Sequence, residues 1–335
     1  MKRAFLFVFI LLLAGAGLAS LRFYLYCVTP HRPHQPATVE VTIPEGASFR
    51  KAAAILERQG VITDPLLFVL LAKIKKAEYS IKAGQYSINL PVTPFDIIDK
   101  LVRGEVTLIS VTIPEGSNLF DIARILEQAG LKPSAEVLRT ATDGEFARSM
   151  GLADNGTMEG FLFPDTYKFC RSMPLDQMLG RMAVRFRDIF ARELQAEAGP
   201  GMLAPRQLVV LASLVEKEAA DPSERSVIAG VFYNRLKLGM RLECDPTVAY
   251  GVRLEDPSFK GRLRKKHLLA ANSYNTYQIK GLPAGPICNP GLASLRAVLK
   301  PASVDYLFFV SRNNGTHQFS RTLEEHNRAV NQYQR

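Results

Sequence analysis

Two carboxylates two residues apart, Glu216 and Glu218, close the run Pro205-Arg206-Gln207-Leu208-Val209-Val210-Leu211-Ala212-Ser213-Leu214-Val215-Glu216-Lys217-Glu218-Ala219-Ala220. Pro205 fits the first turn of a helix. The run is apolar around most of a helical circumference, which predicts a buried helix. Carboxylates at its end then need a reason, because buried charge is costly unless paired or used, and the helix dipole disfavours Glu near a C-terminus. Glu218 shares a face with Leu211, Leu214 and Val215. An apolar wall and a helix C-terminus both raise a carboxyl pKa. A Glu that stays protonated near neutral pH is what a general acid for glycosidic cleavage requires. Glu216 points the other way, beside Val209 and Ala212, and helical geometry alone does not choose between the two. The structural alternative is that both are solvated at a frayed end, or paired with Lys217, Arg206 or Arg225.

Polar, turn-forming residues cluster in Asp245-Pro246-Thr247-Val248-Ala249-Tyr250-Gly251, in Asn272-Ser273-Tyr274-Asn275-Thr276-Tyr277 and in Gly281-Leu282-Pro283-Ala284-Gly285-Pro286. Loops of this composition suit sugar binding, where amides and hydroxyls pair with sugar hydroxyls and aromatic faces stack on the ring. Ordinary turn chemistry gives the same composition. The five histidines show no zinc-ligand spacing. There is no G-x-S-x-G and no P-loop, so no cofactor or metal is expected. The four cysteines, Cys27, Cys170, Cys244 and Cys288, are too few for a disulfide-built fold, although a Cys244–Cys288 bridge is open in an oxidising compartment.

The elements that must carry these residues follow from an internal repeat. Val41-Thr42-Ile43-Pro44-Glu45-Gly46 recurs as Val111-Thr112-Ile113-Pro114-Glu115-Gly116, and the match continues through Ala53/Ala123, Ile55/Ile125, Leu56/Leu126, Glu57/Glu127 and Gly60/Gly130. Two copies make no solenoid. Each predicts a strand, a Pro-Glu-Gly turn, and a helix that Ser48 or Ser117 can cap. Apolar positions 49, 52, 53, 56 and 119, 122, 123, 126 give each helix one buried face, and Gly60 and Gly130 suit the left-handed C′ position. A second helix at about 65–75 and a strand pair around 84–88 complete a small α+β module over 39–107. Residues 108–335 predict one larger α+β domain, with helices near 175–197, 205–220, 223–238 and 291–299 and strands near 304–311 and 316–320 around an Asn313-Asn314-Gly315 hairpin turn.

Residues 4–21 are eighteen in a row without formal charge. As a helix they reach about 27 Å, close to a hydrocarbon core of about 30 Å, and can extend through Tyr24 and Tyr26 if Arg22 snorkels. Lys2 and Arg3 place the N-terminus in the cytoplasm and the rest of the chain across the membrane. A cleaved signal peptide is the alternative, but the run exceeds a usual signal core. Residues 1–28 therefore predict a single-pass anchor, and the Pro-rich stretch at 29–38 a short stiff linker. The net charge of +10 implies anionic surroundings. The exported location argues against nucleic acid. The densest basic cluster, Lys260, Arg262, Arg264, Lys265 and Lys266, reads as a solvated surface loop.

At these motifs the sequence resembles the endolytic murein transglycosylases, the YceG-like lytic transglycosylases of bacteria. The resemblance is carried by Leu211-Ala212-Ser213-Leu214-Val215-Glu216-Lys217-Glu218, Ser223-Glu224-Arg225, Val231-Phe232-Tyr233-Asn234-Arg235-Leu236 and Asp245-Pro246-Thr247-Val248. Tyr274-Asn275-Thr276-Tyr277, Gly281-Leu282-Pro283 and Glu159-Gly160-Phe161-Leu162-Phe163-Pro164-Asp165-Thr166-Tyr167 add to it, and it runs from about residue 39 to the C-terminus. It implies a single-pass inner-membrane enzyme with a LysM-like module before its catalytic domain. It implies cleavage of the β-1,4 bond between N-acetylmuramic acid and N-acetylglucosamine within peptidoglycan strands, leaving 1,6-anhydromuramyl ends. It puts the catalytic acid/base on the second Glu of Glu-Lys-Glu, which is Glu218. Glu159, Asp245, Thr247, Tyr274 and Asn275 are then candidates for binding substrate around the oxocarbenium-like centre. Cell-wall synthases are partners that the family suggests and no residue here carries. The sequence departs from the pattern at Cys244, where Ser or Thr is usual, at Ala284, and at Cys288. A non-catalytic peptidoglycan-binding scaffold, and a two-carboxylate muramidase pairing Asp245 with Glu218, are the competing readings.

Overall fold

The structure is a computed structural model that describes residues 2–31, 38–152, 156–197 and 203–334. Most of the linker expected at 29–38 lies outside the described residues. The chain mixes helices with small two-stranded sheets and divides into two compact units, residues 1–109 with 168–173, and residues 110–167 with 174–335.

The first unit begins with α1 (Lys2–Val28). Its segment Phe5–Val28 is long and apolar enough to cross a membrane. β1 (Thr38–Ile43), α2 (Phe49–Arg58), α3 (Pro65–Ile74), β2 (Gly84–Asn89) and α4 (Pro94–Arg103) follow. β1 and β2 pair antiparallel, with Val41 opposite Tyr86 and Ile43 opposite Gly84. The strand pair expected around 84–88 is thus one strand that finds its partner more than forty residues upstream in β1. Val41, Ile43, Phe49, Leu56, Phe68, Tyr86, Ile98 and Leu101 form the core, and the rings of Phe49 and Phe68 stack at 5.3 Å. α4 was not foreseen. Thr93 caps it by accepting from Asp96 N at 3.1 Å, and Gly104 ends it in the left-handed conformation.

The second unit holds β3 (Ile109–Thr112), which begins at its edge, then α5 (Leu119–Gln128), α6 (Ser134–Ala141), α7 (Gly144–Ser149), the first half of β4 (Thr166–Phe169), whose last two residues fall in the first unit, and α8 (Leu175–Glu197). α9 (Pro205–Glu218), α10 (Arg225–Lys237), α11 (Asp245–Glu255), α12 (Lys265–Leu269), α13 (Leu292–Leu299), β5 (Phe308–Ser311), β6 (His317–Ser320) and α14 (Leu323–Tyr333) complete it. α9 is its spine. Leu208, Val209, Leu211, Ala212, Leu214 and Val215 are fully buried, packed by α10, α11 and α13. β5 and β6 form the expected hairpin, with Asn313 and Gly315 at positive φ in its turn.

The repeat is structural: α2 and α5 start and end seventy residues apart, and both bury the expected face. Their caps differ. Ser48 accepts from Lys51 N, but Ser117 turns away to donate to Pro114 O at 2.7 Å. Asn118 caps α5 in its place, in a reciprocal box with Asp121. A second correction concerns 245–251, read as a sugar-binding loop. It is the start of α11, because Pro246 sits in a first helical turn and the Thr247 hydroxyl closes that turn on Cys244 O at 2.7 Å.

Candidate active site

Ala219 caps the C-terminus of α9, leaving Glu216 and Glu218 in its last turn. The two carboxyls have different surroundings. Glu216 is almost wholly enclosed: Oε1 lies 3.5 Å from an Arg225 guanidinium nitrogen, and Oε2 accepts from Gly291 N at 2.9 Å. It is the paired carboxylate that the structural alternative described. Glu218 is half-buried and accepts from a neutral group, the thiol of Cys244, whose Sγ lies 2.9 Å from Oε1. Burial raises the Glu218 carboxyl above its ordinary range, and the charge of Asp245 adds to the rise; the Cys244 hydrogen bond and the neighbouring His317 pull the other way.

Cys244 is fixed from three sides. Its N–H donates to Thr276 Oγ1 at 2.9 Å, its carbonyl accepts from Thr247, and the Thr247 and Thr276 hydroxyls lie 2.9 Å apart. The preceding loop is held by Arg235, buried in α10, whose guanidinium donates to the carbonyls of Arg241, Leu242 and Leu307 and to Glu243. Burial and the Glu218 charge push the Cys244 thiol well above its usual value, so it stays a protonated donor. Cys244 and Cys288 are both free. The Cys288 thiol faces the Ser213 carbonyl at 3.4 Å, so no bridge joins them.

Asp245 follows directly and accepts from Tyr277 OH at 2.7 Å. Asp245, Lys217, Tyr250, Arg253 and Asn118 line an open cleft of about 840 Å³ beside the end of α9. Tyr250 joins this cleft to two other candidates. Its ring lies 5.1 Å from that of Tyr274, and its hydroxyl donates to Glu159 Oε2 at 2.8 Å. Glu159 is itself fully buried and accepts also from Leu119 N and from the Asn289 side chain. Burial outweighs these donors and lifts its pKa to about 7. Tyr250 is the cleft-lining side chain that Glu159 holds by a hydrogen bond. Asn275 uses its amide on backbone, donating to the carbonyls of His267, Leu268 and Ala270 and accepting from Tyr277 N. Glu218, Asp245 and Thr247 are therefore brought together around Cys244; Tyr274 and Glu159 stand one residue further out, behind Tyr250; Asn275 holds the loop that carries Thr276 and Tyr277.

Sequence reasoning did not single out Thr276, Tyr250, Asn289 or the His317–Glu224 pair, whose nitrogen and oxygen lie 2.7 Å apart. Thr276 and Tyr250 stood inside polar motifs, which was a usable signal. Asn289 reaches Glu159 from 130 positions away, and nothing local marks it. Among the described residues no cluster of His, Cys, Asp and Glu could hold a metal ion.

The chain's relatives agree in kind. The endolytic murein transglycosylase of Bacillus subtilis (strain 168) is 32% identical over 318 residues, covering 91% of this chain and 87% of that protein. The endolytic murein transglycosylase of Streptococcus pneumoniae (strain ATCC BAA-255 / R6) is 28% identical over 358 residues, covering 96% of this chain, which spans 63% of that longer protein. A crystal structure of a yceG-like protein from Listeria monocytogenes superposes with a TM-score of 0.58 at 33% identity, covering 88% of this chain and 100% of the other. The sequence model of the YceG-like family matches residues 41–332. With that match spanning most of its length, the chain belongs to the YceG-like family.

Proposed function

We propose that the protein is a membrane-anchored endolytic lytic transglycosylase of peptidoglycan, with Glu218 as its general acid and base. The observation that carries the reading is the environment of Glu218: a carboxyl at the negative end of a buried helix, raised by burial and hydrogen-bonded to a thiol. Such a group holds a proton near neutral pH and can give it to the leaving glycosidic oxygen. It then takes the proton of the muramyl C6 hydroxyl as that oxygen attacks the anomeric carbon of the same sugar. No water attacks, so no second carboxylate is required as base or nucleophile. Glu216, tied to Arg225 and Gly291 N, has a structural part. The names of the Bacillus and Streptococcus relatives support the substrate and the reaction.

The remaining parts follow. Residues 1–28 are the anchor, with the N-terminus in the cytoplasm and the body outside the inner membrane. Residues 39–107 are a LysM-like glycan-binding module, supported by the antiparallel β1–β2 pair that encloses α2 and α3 in the chain. Residues 108–335 are the catalytic domain. The charge of Asp245 beside Glu218 favours a second reading, a muramidase using both carboxylates. Digestion of purified peptidoglycan, followed by mass spectrometry of the products, separates them. 1,6-Anhydromuramyl ends support the transglycosylase; reducing ends support the muramidase; no cleavage rejects both.

A further inference from the structure

α3 has the sequence Pro65-Leu66-Leu67-Phe68-Val69-Leu70-Leu71-Ala72-Lys73-Ile74, with one charge in ten residues. Phe68, Leu71 and Ala72 face the core of the first unit. The opposite face is apolar as well. Leu66, Leu70 and Ile74, four residues apart and so on one side of the helix, are 81%, 44% and 62% exposed. A helix that is apolar all round belongs in a core or in lipid, and a contiguous exposed apolar stripe marks a surface that something covers.

What covers it is indicated by where α3 begins. Its N-cap, Asp64, accepts from Leu66 N and Leu67 N, and the same residue is held by the membrane-facing helix: Tyr26 OH donates to Asp64 O at 2.8 Å, and Arg22 lies 4.0 Å from its carboxylate. Arg22 immediately follows the uncharged stretch 4–21, the level at which a spanning helix leaves hydrocarbon. The start of α3 is thus pinned to the interfacial turn of α1. Lys73 and Lys76, at the other end of α3, are exposed and suit anionic headgroups.

We propose that α3 rests on the bilayer beside the anchor, its Leu66–Leu70–Ile74 stripe immersed at the boundary between headgroups and acyl chains. This rests on the reading of α1 as a membrane anchor. It gives the first unit a second contact with the membrane and fixes its orientation on that surface, instead of leaving it on a swivel. Interfacial helices of this kind sink about 5–10 Å.

The sequence contains no tryptophan, so one introduced Trp reports a single site. Leu70→Trp, in the full chain reconstituted into phosphatidylcholine–phosphatidylglycerol vesicles, replaces a side chain that is already exposed and leaves the core intact. Leu12→Trp in the anchor and Leu323→Trp at the exposed start of α14 are the references. The expected result is blue-shifted emission from Leu70→Trp and loss of its intensity when the lipids carry brominated acyl chains, as for Leu12→Trp and unlike Leu323→Trp. Water-like, unquenched emission from Leu70→Trp beside a quenched Leu12→Trp overturns the proposal. So does blue-shifted emission without quenching, which would mean that protein, from a second copy or a partner, covers the stripe. An unquenched Leu12→Trp would overturn the anchor reading itself, and the proposal with it.

Discussion

The thiol of Cys244 donates to Oε1 of Glu218 across 2.9 Å. A hydrogen bond to the ionised carboxyl lowers its pKa against the rise that burial causes. Removing the donor in Cys244→Ala raises the Glu218 pKa further, and a hydroxyl in Cys244→Ser, the stronger donor, lowers it. The proposed role as general acid requires a protonated Glu218, so it predicts that the alkaline limb of the kcat–pH profile moves up in Cys244→Ala and down in Cys244→Ser. Profiles that coincide with the parent in both variants would contradict a positioning part for Cys244.

Glu159 tests the outer shell. Burial lifts its pKa in the folded protein to about 7, from an ordinary value of 4.5. Its contribution to stability is therefore full below about 4.5 and is lost as pH rises through 7, an effect on the order of 3 kcal/mol. Glu159→Gln does not titrate. Both oxygens of the protonated acid can still accept from Asn289, Leu119 N and Tyr250, whereas the amide NH2 accepts from none of them, so the variant is the less stable at low pH. The difference in unfolding free energy between the two proteins should narrow from pH 4.5 to 8. A constant difference in denaturant titrations would show that Glu159 does not carry this linkage.

Glu216 is expected to matter for folding and not for chemistry. Glu216→Ala takes the 3.5 Å ion pair from Arg225, which keeps its hydrogen bond to Ser294, and leaves Gly291 N without its acceptor. Breaking a buried pair from one side costs about 3–5 kcal/mol. Chemical denaturation should show a loss of that order, while whatever folds still yields the parent's product ends. A fully stable but inactive Glu216→Ala would exchange the parts assigned to the two carboxylates.

Much of this arrangement could be read in advance, for reasons that are local. α9 was legible because Pro205 and an all-round apolar run specify a buried helix whatever surrounds it. α2 and α5 were legible because period and Gly60/Gly130 repeat together. What escaped depended on distant partners. Tyr86 gave no sign that Val41 lies opposite it. The turn-like letters of 245–251 concealed a helix, since Asp-Pro-Thr opens a first helical turn as readily as a loop. Choosing between Glu216 and Glu218 needed Arg225 and Cys244 in space: helical geometry gave each a face, and only the tertiary neighbours show one paired with a cation and the other with a neutral thiol.

The central claim, that Glu218 gives and takes the proton, is tested most directly by digesting purified peptidoglycan with the parent and with Glu218→Gln and quantifying anhydromuramyl products by mass spectrometry. The carboxamide keeps the size of the side chain and can still accept from Cys244, but it cannot transfer a proton. Loss of a positioned acid/base costs about 10²–10⁴-fold, so the account predicts 1,6-anhydromuramyl products from the parent and a fall of that size in the folded variant. Undiminished product from Glu218→Gln would contradict it.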